Sequence, residues 1–156
     1  MSFSEWVDDR TGLTVWVSAG HGGVRVVPDM AADVLLWRGG LHLAGYDSVA
    51  QCFEQPLSEA TIGVRLPHGT VAPILRDSAE TVLNERSPLG EAPEALLGHA
   101  QHDWKRAASG LARWTHLLIA HASEHSDKNP CRSRTRAPRP SGADCHDYGE
   151  DPRLVA

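Results

Sequence analysis

The chain has 156 residues, of which 41% are hydrophobic and 22% charged, with a formal net charge of −5. This composition fits one globular domain and gives the molecule no overall basic excess to recommend nucleic acid. No apolar run approaches the roughly 18 residues of a membrane helix, residues 1–6 lack the basic and apolar regions of a signal peptide, and the three cysteines are widely spaced, so a cytoplasmic protein without membrane contact or disulfides is expected.

In chain order, residues 3–8 suggest a short helical turn with Phe3, Trp6 and Val7 inward. Residues 13–18 alternate and are rich in β-branched types, and residues 24–27 are valines apart from Arg25, before Pro28. The glycine-rich link between them makes the pair a candidate β-hairpin. Residues 29–37 carry two signals: Asp29 suits a helix cap, and residues 34–37 suit a buried strand. Gly39 and Gly40 turn the chain into a strand at 41–44. Ser48 and Gln51 match a capping box, which predicts a helix as far as Gln55 with Cys52 as a small core residue. Residues 61–66 and 70–75 predict strands joined by Pro67, His68 and Gly69; Pro73 has no amide hydrogen, which puts the second at an edge. Asp77 and Glu80 form a second capping pair and predict a helix that ends before Pro88.

A long helix is expected from Pro93 or Glu94. Leu97, Trp104, Leu111 and Leu118 recur every seven residues, with Ala100, Ala107, Trp114 and His121 as a second series three residues behind. Alternating steps of three and four mark one buried helical stripe. Gly98 and Gly110 each cost such a helix about 1 kcal/mol relative to alanine, which tight packing at Gly110 would offset. His121 is expected at the border of the stripe, near the C-terminal end that favours a histidinium. The order of elements gives an α+β domain over residues 1–123: a small, mostly antiparallel sheet with the C-terminal helices packed on one face. Residues 124–156 hold few large apolar groups and contain Pro130, Pro138, Pro140 and Pro152. Their basic part, from Lys128 to Arg139, precedes an acidic part from Asp144 to Asp151. A disordered polyampholytic tail is expected there.

Chemistry is harder to find. Of nine histidines, five lie at 99, 102, 116, 121 and 125. His99 and His102 share a helix face, but His116 stands about 21 Å farther along the axis, so one ion cannot reach them all. There is no His-Glu-x-x-His and no paired Cys-x-x-Cys, so neither a metal nor another cofactor is expected. A metal- or histidine-dependent enzyme would need His21, His42 or His68 folded against the helix. The glycines at 20, 22 and 23 lack the Lys-Ser/Thr of a P-loop and suit a hairpin tip, and no Gly-x-Ser-x-Gly elbow occurs. Trp6, Trp16 and Trp37 suit core or interface anchors.

The outer face of the long helix is basic. Lys105, Arg106 and Arg113 lie there with His99, His102 and His116, and Glu94 and Asp103 are the only acids between 94 and 122. A basic stripe on an acidic body is oriented by an acidic partner. The expected function is therefore a non-enzymatic interaction or regulatory module that docks an acidic protein surface through Lys105, Arg106, Arg113, His99 and His102, with a second copy of the chain as another partner. The alternatives are the histidine-dependent enzyme and a nucleic-acid-associated regulator, the latter weakened by the lack of stacking aromatics on this face.

Overall fold

The computed structural model describes residues 2–20, 22–55, 59–76 and 79–126. The first strand, β1 (Ser2–Val7), pairs with β2 (Thr14–Ala19) in an antiparallel hairpin. The helical turn expected at residues 3–8 is thus a strand: period-two alternation turns Trp6 toward the core and leaves Phe3 and Val7 exposed. Next come β3 (Gly22–Val26), β4 (Asp33–Trp37), β5 (Gly40–Ala44), β6 (Gln51–Gln55), β7 (Ala60–Arg65) and β8 (Arg86–Glu91). Six of these strands form one sheet in the order β1-β2-β7-β4-β5-β8, with every pairing antiparallel. The β4–β5 turn is made by Arg38 and Gly39, both with positive φ (48° and 77°), as a two-residue hairpin turn requires.

The expected hairpin between residues 13–18 and 24–27 does not form. Both sides of β2 are taken, by β1 and β7, and β3 pairs instead with β6 in a separate two-stranded ribbon. That pairing also overturns the helix expected at 48–55. Ser48 caps nothing: the Asn84 side-chain oxygen accepts its amide (2.7 Å) and the amide of Val49 (3.3 Å). Gln51–Gln55 is a strand, and Cys52 on it is exposed, not a core residue.

Two further expectations change places around proline. Residues 71–75 form a short helix, α1 (Val71–Leu75), instead of an edge strand. Pro73 sits in its first turn, where a missing amide costs nothing. The helix expected from Asp77 is only a 3-10 turn, Ala79–Val82, and Asp77 itself lies outside the described residues. Pro88 does not follow a helix but lies in β8, at the sheet edge, where the register with β5 slips between Leu41 and His42.

The long helix is two helices, α2 (Glu94–His102) and α3 (Trp104–Ser126). The break is at Asp103, whose φ and ψ (−147°, 81°) are not helical. Its carboxylate accepts the Arg106 amide at 3.1 Å, the N-cap interaction that starts α3. The buried stripe is correspondingly rotated. Ala107 and Leu111 are fully buried, as read, but so are Ala108, Ala112 and Thr115. Trp104 is 38% exposed, Trp114 and Leu118 are half-buried, His121 is exposed, and Leu97 lies half-buried on α2. Small side chains decide this: Ala107, Ala108 and Ala112 let α3 close on the sheet, and the larger residues are left at its flanks. Gly110 serves the same end, since an added carbon there would run into Leu96 of α2.

The core lies between the helices and one face of the sheet. Val15, Val17, Val34, Leu36, Leu41, Leu43, Ile62 and Val64 meet Val71, Leu96 and Leu111 there. The architecture is α+β, a mostly antiparallel sheet with the C-terminal helices packed on one face. Among the described residues no helix is long and apolar enough to cross a membrane. Of the tail expected over residues 124–156, the first three residues belong to the last turn of α3, and residues 127–156 lie outside the described residues.

Candidate functional site

Period-two alternation sends the other set of strand side chains to the opposite, outer face of the sheet. Trp16 and Ser18 come from β2, Thr61 and Arg65 from β7, Asp33, Leu35 and Trp37 from β4, Ala44 from β5 and Arg86 from β8. Among the described residues no helix covers this face. Arg25 and Val26 of β3, Asp29 and Ala31 of the loop between β3 and β4, and Phe53 of β6 face it across a cavity of about 310 Å³. The Trp16 indole forms part of the floor. It lies over Gly63 so closely that a β-carbon at 63 would strike the ring, which is why β7 needs glycine there. Phe3 stacks on Trp16 with ring centroids 6.0 Å apart.

The charges in this cavity are paired across the chain. Arg65 Nη2 lies 3.0 Å from Asp29 Oδ2, and its Nε lies 3.8 Å from Asp33 Oδ1. Trp16 Nε1 donates to the same Asp33 oxygen at 3.2 Å. Burial pushes the Asp33 pKa above the ordinary carboxylate value, against the opposing pull of the Trp16 hydrogen bond and the Arg65 charge. Arg86 reaches both oxygens of Asp47, at 3.4 and 3.3 Å, and its guanidinium lies 4.8 Å from the Phe53 ring centroid. Arg25 also lines the cavity, and none of the described residues forms an ion pair with it. The site therefore has aromatic walls, two arginines held in place by aspartates, and a third arginine at the rim.

The docking residues read from the helix face gather elsewhere. His99, Lys105, Arg106 and Arg113 line an open groove of about 890 Å³ between α2, α3 and the β1–β2 turn, where Arg10 joins them. His102 is exposed and does not line it. The groove is less basic than the helix alone suggests, because the β1–β2 turn also brings in Asp8 and Asp9, and Asp103 lines it too. Asp8 is buried, and burial alone would raise its pKa. Hydrogen bonds from the Thr11 hydroxyl (2.8 Å) and amide (3.0 Å), with those from the Ser109 side chain and the Arg10 backbone, together outweigh that and hold it below the ordinary value. Lys105 leans over Trp104, 5.5 Å from the ring centroid.

The sheet histidines do not join the helix histidines. His42 packs edge-on against Trp37 (5.4 Å) on the outer face, away from α2, and His68 is exposed in the loop before α1. His21 lies outside the described residues. One other group of metal-ligand type stands close together among the described residues: His121, Glu124 and His125, at the end of α3. Its His-x-x-Glu-His spacing is visible in the sequence, but taking the helix histidines one at a time hides it. The cavity gives a weaker sequence signal: Asp33 and Arg65 are charged ends of otherwise apolar strands, and only the fold brings them together. No protein-family model, curated protein or solved structure matches this chain.

Proposed function

We propose that this protein is a binding module whose ligand seat is the cavity on the outer face of the sheet. The observation that carries this reading is the set of aromatic walls around a void, with fixed charges at its edge. The volume falls at the lower end of the roughly 300–1,000 Å³ of small-molecule sites, which are mostly apolar with a few placed polar groups. Trp16, Trp37, Phe3 and Phe53 suit a flat, largely apolar molecule. Arg25 suits an anionic group on that molecule, since Arg65 and Arg86 already have carboxylate partners. The lining offers stacking from its rings and ion pairing from its arginines, and its carboxylates Asp29, Asp33 and Asp47 are already engaged by Arg65, Trp16 and Arg86.

The test is calorimetric titration with naphthalene-2-carboxylate, with its neutral amide as comparison. The acid should bind saturably and the amide at least about tenfold more weakly. Ala44→Leu, which extends a buried side chain into the void, should weaken the acid by a similar factor. Absence of saturable binding across a panel of flat aromatic carboxylates, or binding unchanged in Ala44→Leu, would overturn the proposal.

A second reading is docking of an acidic protein on the groove beside α3. It is favoured by the convergence of His99, Lys105, Arg106 and Arg113 with Arg10 on one surface. Such rim charges govern association rate more than dissociation rate. A triple Lys105→Glu, Arg106→Glu, Arg113→Glu variant that stays folded and keeps every partner captured by the wild type would eliminate it.

A further inference from the structure

We infer that the last turn of α3 carries a binding site for a divalent transition-metal ion of the zinc type, formed by His121, Glu124 and His125. One imidazole nitrogen from each histidine and one carboxylate oxygen all lie within 4.8 Å of one another, and all three side chains are exposed. Helix geometry makes this possible. Positions separated by three and four residues lie on one face, so His121 meets both Glu124 and His125 one turn on. The two imidazole centroids are 4.2 Å apart, with planes inclined by 45°.

The second observation concerns the tautomer. His125 Nδ1 lies 2.8 Å from the carbonyl oxygen of His121. A carbonyl oxygen can only accept, so Nδ1 carries a proton, and in the neutral ring it is Nε2 that keeps the lone pair. Metal-binding imidazoles are oriented in this way, by a hydrogen bond from the nitrogen that does not bind. Around tetrahedral zinc, with bonds of about 2.0–2.1 Å, donor atoms stand roughly 3.4 Å apart. Small rotations of three exposed side chains close that gap. Imidazole donors favour zinc and its neighbours over magnesium or calcium. Two neutral imidazoles and one carboxylate leave a net positive charge on the complex, which the C-terminal end of a helix favours. Three protein donors leave a fourth position to water. The bound ion joins residues one turn apart and so holds the end of α3 against fraying.

The chain also has Cys131, Cys145 and His146, so metal content alone cannot assign the site. The experiment is a Zn²⁺ titration of the untagged full chain, followed by the ring-nitrogen NMR signals of its histidines. At one equivalent, the His121 and His125 signals should shift together, and amide exchange over residues 121–126 should slow. His125→Ala should weaken this binding at least about tenfold and Glu124→Gln several-fold, while His116→Ala, farther up the helix, should match the wild type. Circular dichroism establishes that each variant keeps its helix content. Unmoved His121 and His125 signals, whether zinc binds elsewhere or not at all, would overturn the inference, as would wild-type affinity in His125→Ala.

Discussion

The two faces of the six-stranded sheet are built from the same strands, one residue out of step, and they are covered differently. The inner face is aliphatic, and alanines on α3 let the helix settle onto it without gaps at Val15, Val34, Leu43 and Leu111. The outer face is aromatic and charged, and opposite it stands a two-stranded ribbon whose shared contribution to the cavity is Arg25, Val26 and Phe53. The helices bring a continuous apolar stripe to their face; the ribbon brings only Arg25, Val26 and Phe53 to the other. The first covering gives a close-packed core. The second leaves a void edged by ion pairs. Fold and proposed function are thus divided between the faces, and substitutions on each should behave differently.

The largest effect is expected on the inner face. Leu111→Ala removes a fully buried side chain from beneath close-packed neighbours, and should cost about 2–5 kcal/mol in denaturant unfolding. On the outer face, Gly63→Ala forces the Trp16 indole off the strand and should cost about 1–3 kcal/mol, with a change in tryptophan emission. A loss at Gly63 greater than at Leu111 would reverse the assignment of the core. Thr115→Val goes the other way. The Thr115 hydroxyl is fully buried and finds no hydrogen-bond partner among the described residues, so the variant should gain about 1 kcal/mol.

The smallest effects, and the sharpest in sign, come from two carboxylates. Asp33, on the outer face, has a raised pKa. Its contribution to stability is fully present below the ordinary value of 3.8 and is lost as pH rises through the raised folded value. Asp8, in the β1–β2 turn, has a lowered pKa, so its contribution is present above the ordinary value of 3.8 and is lost as pH falls through the folded value. Relative to wild type, Asp33→Asn should therefore gain stability as pH rises from about 3 to 7, and Asp8→Asn should lose it. Chemical denaturation of both variants across that range checks the pair, and slopes of the same sign would contradict it.

The inner face could be read from the chain, and the outer face could not. Residues 13–18, 41–44 and 61–66 alternate with β-branched or aliphatic residues, and those strands stand where that pattern puts them. Class and layering follow from them. The failures at residues 3–8, 24–27 and 48–55 share one cause: local signals lost to long-range pairing. The Ser48 capping signal yielded to Asn84 and to the pairing of β6 with β3. The seven-residue beat marked helix but not its buried face: Asp103 divided it, through a side-chain cap that was a signal present in the sequence, and burial shifted to Ala108, Ala112 and Thr115 while Trp104 stayed exposed. The cavity draws Arg25, Asp33, Asp47, Arg65 and Arg86 from five separate segments, so no spacing announces it. His121, Glu124 and His125 are the opposite case, a group local enough to be read directly.

A ligand seated as proposed meets the outer face, and not the helix-covered core or the groove beside α3. The five tryptophans test it in one spectrum, because Trp16 and Trp37 line the cavity while Trp6, Trp104 and Trp114 do not. Indole N–H signals are followed by NMR as naphthalene-2-carboxylate is added to the full chain. The account predicts saturable shifts at Trp16 and Trp37, with Trp6, Trp104 and Trp114 unmoved. Shifts confined to Trp6 and Trp104, or no saturable shift at Trp16 and Trp37, would contradict it.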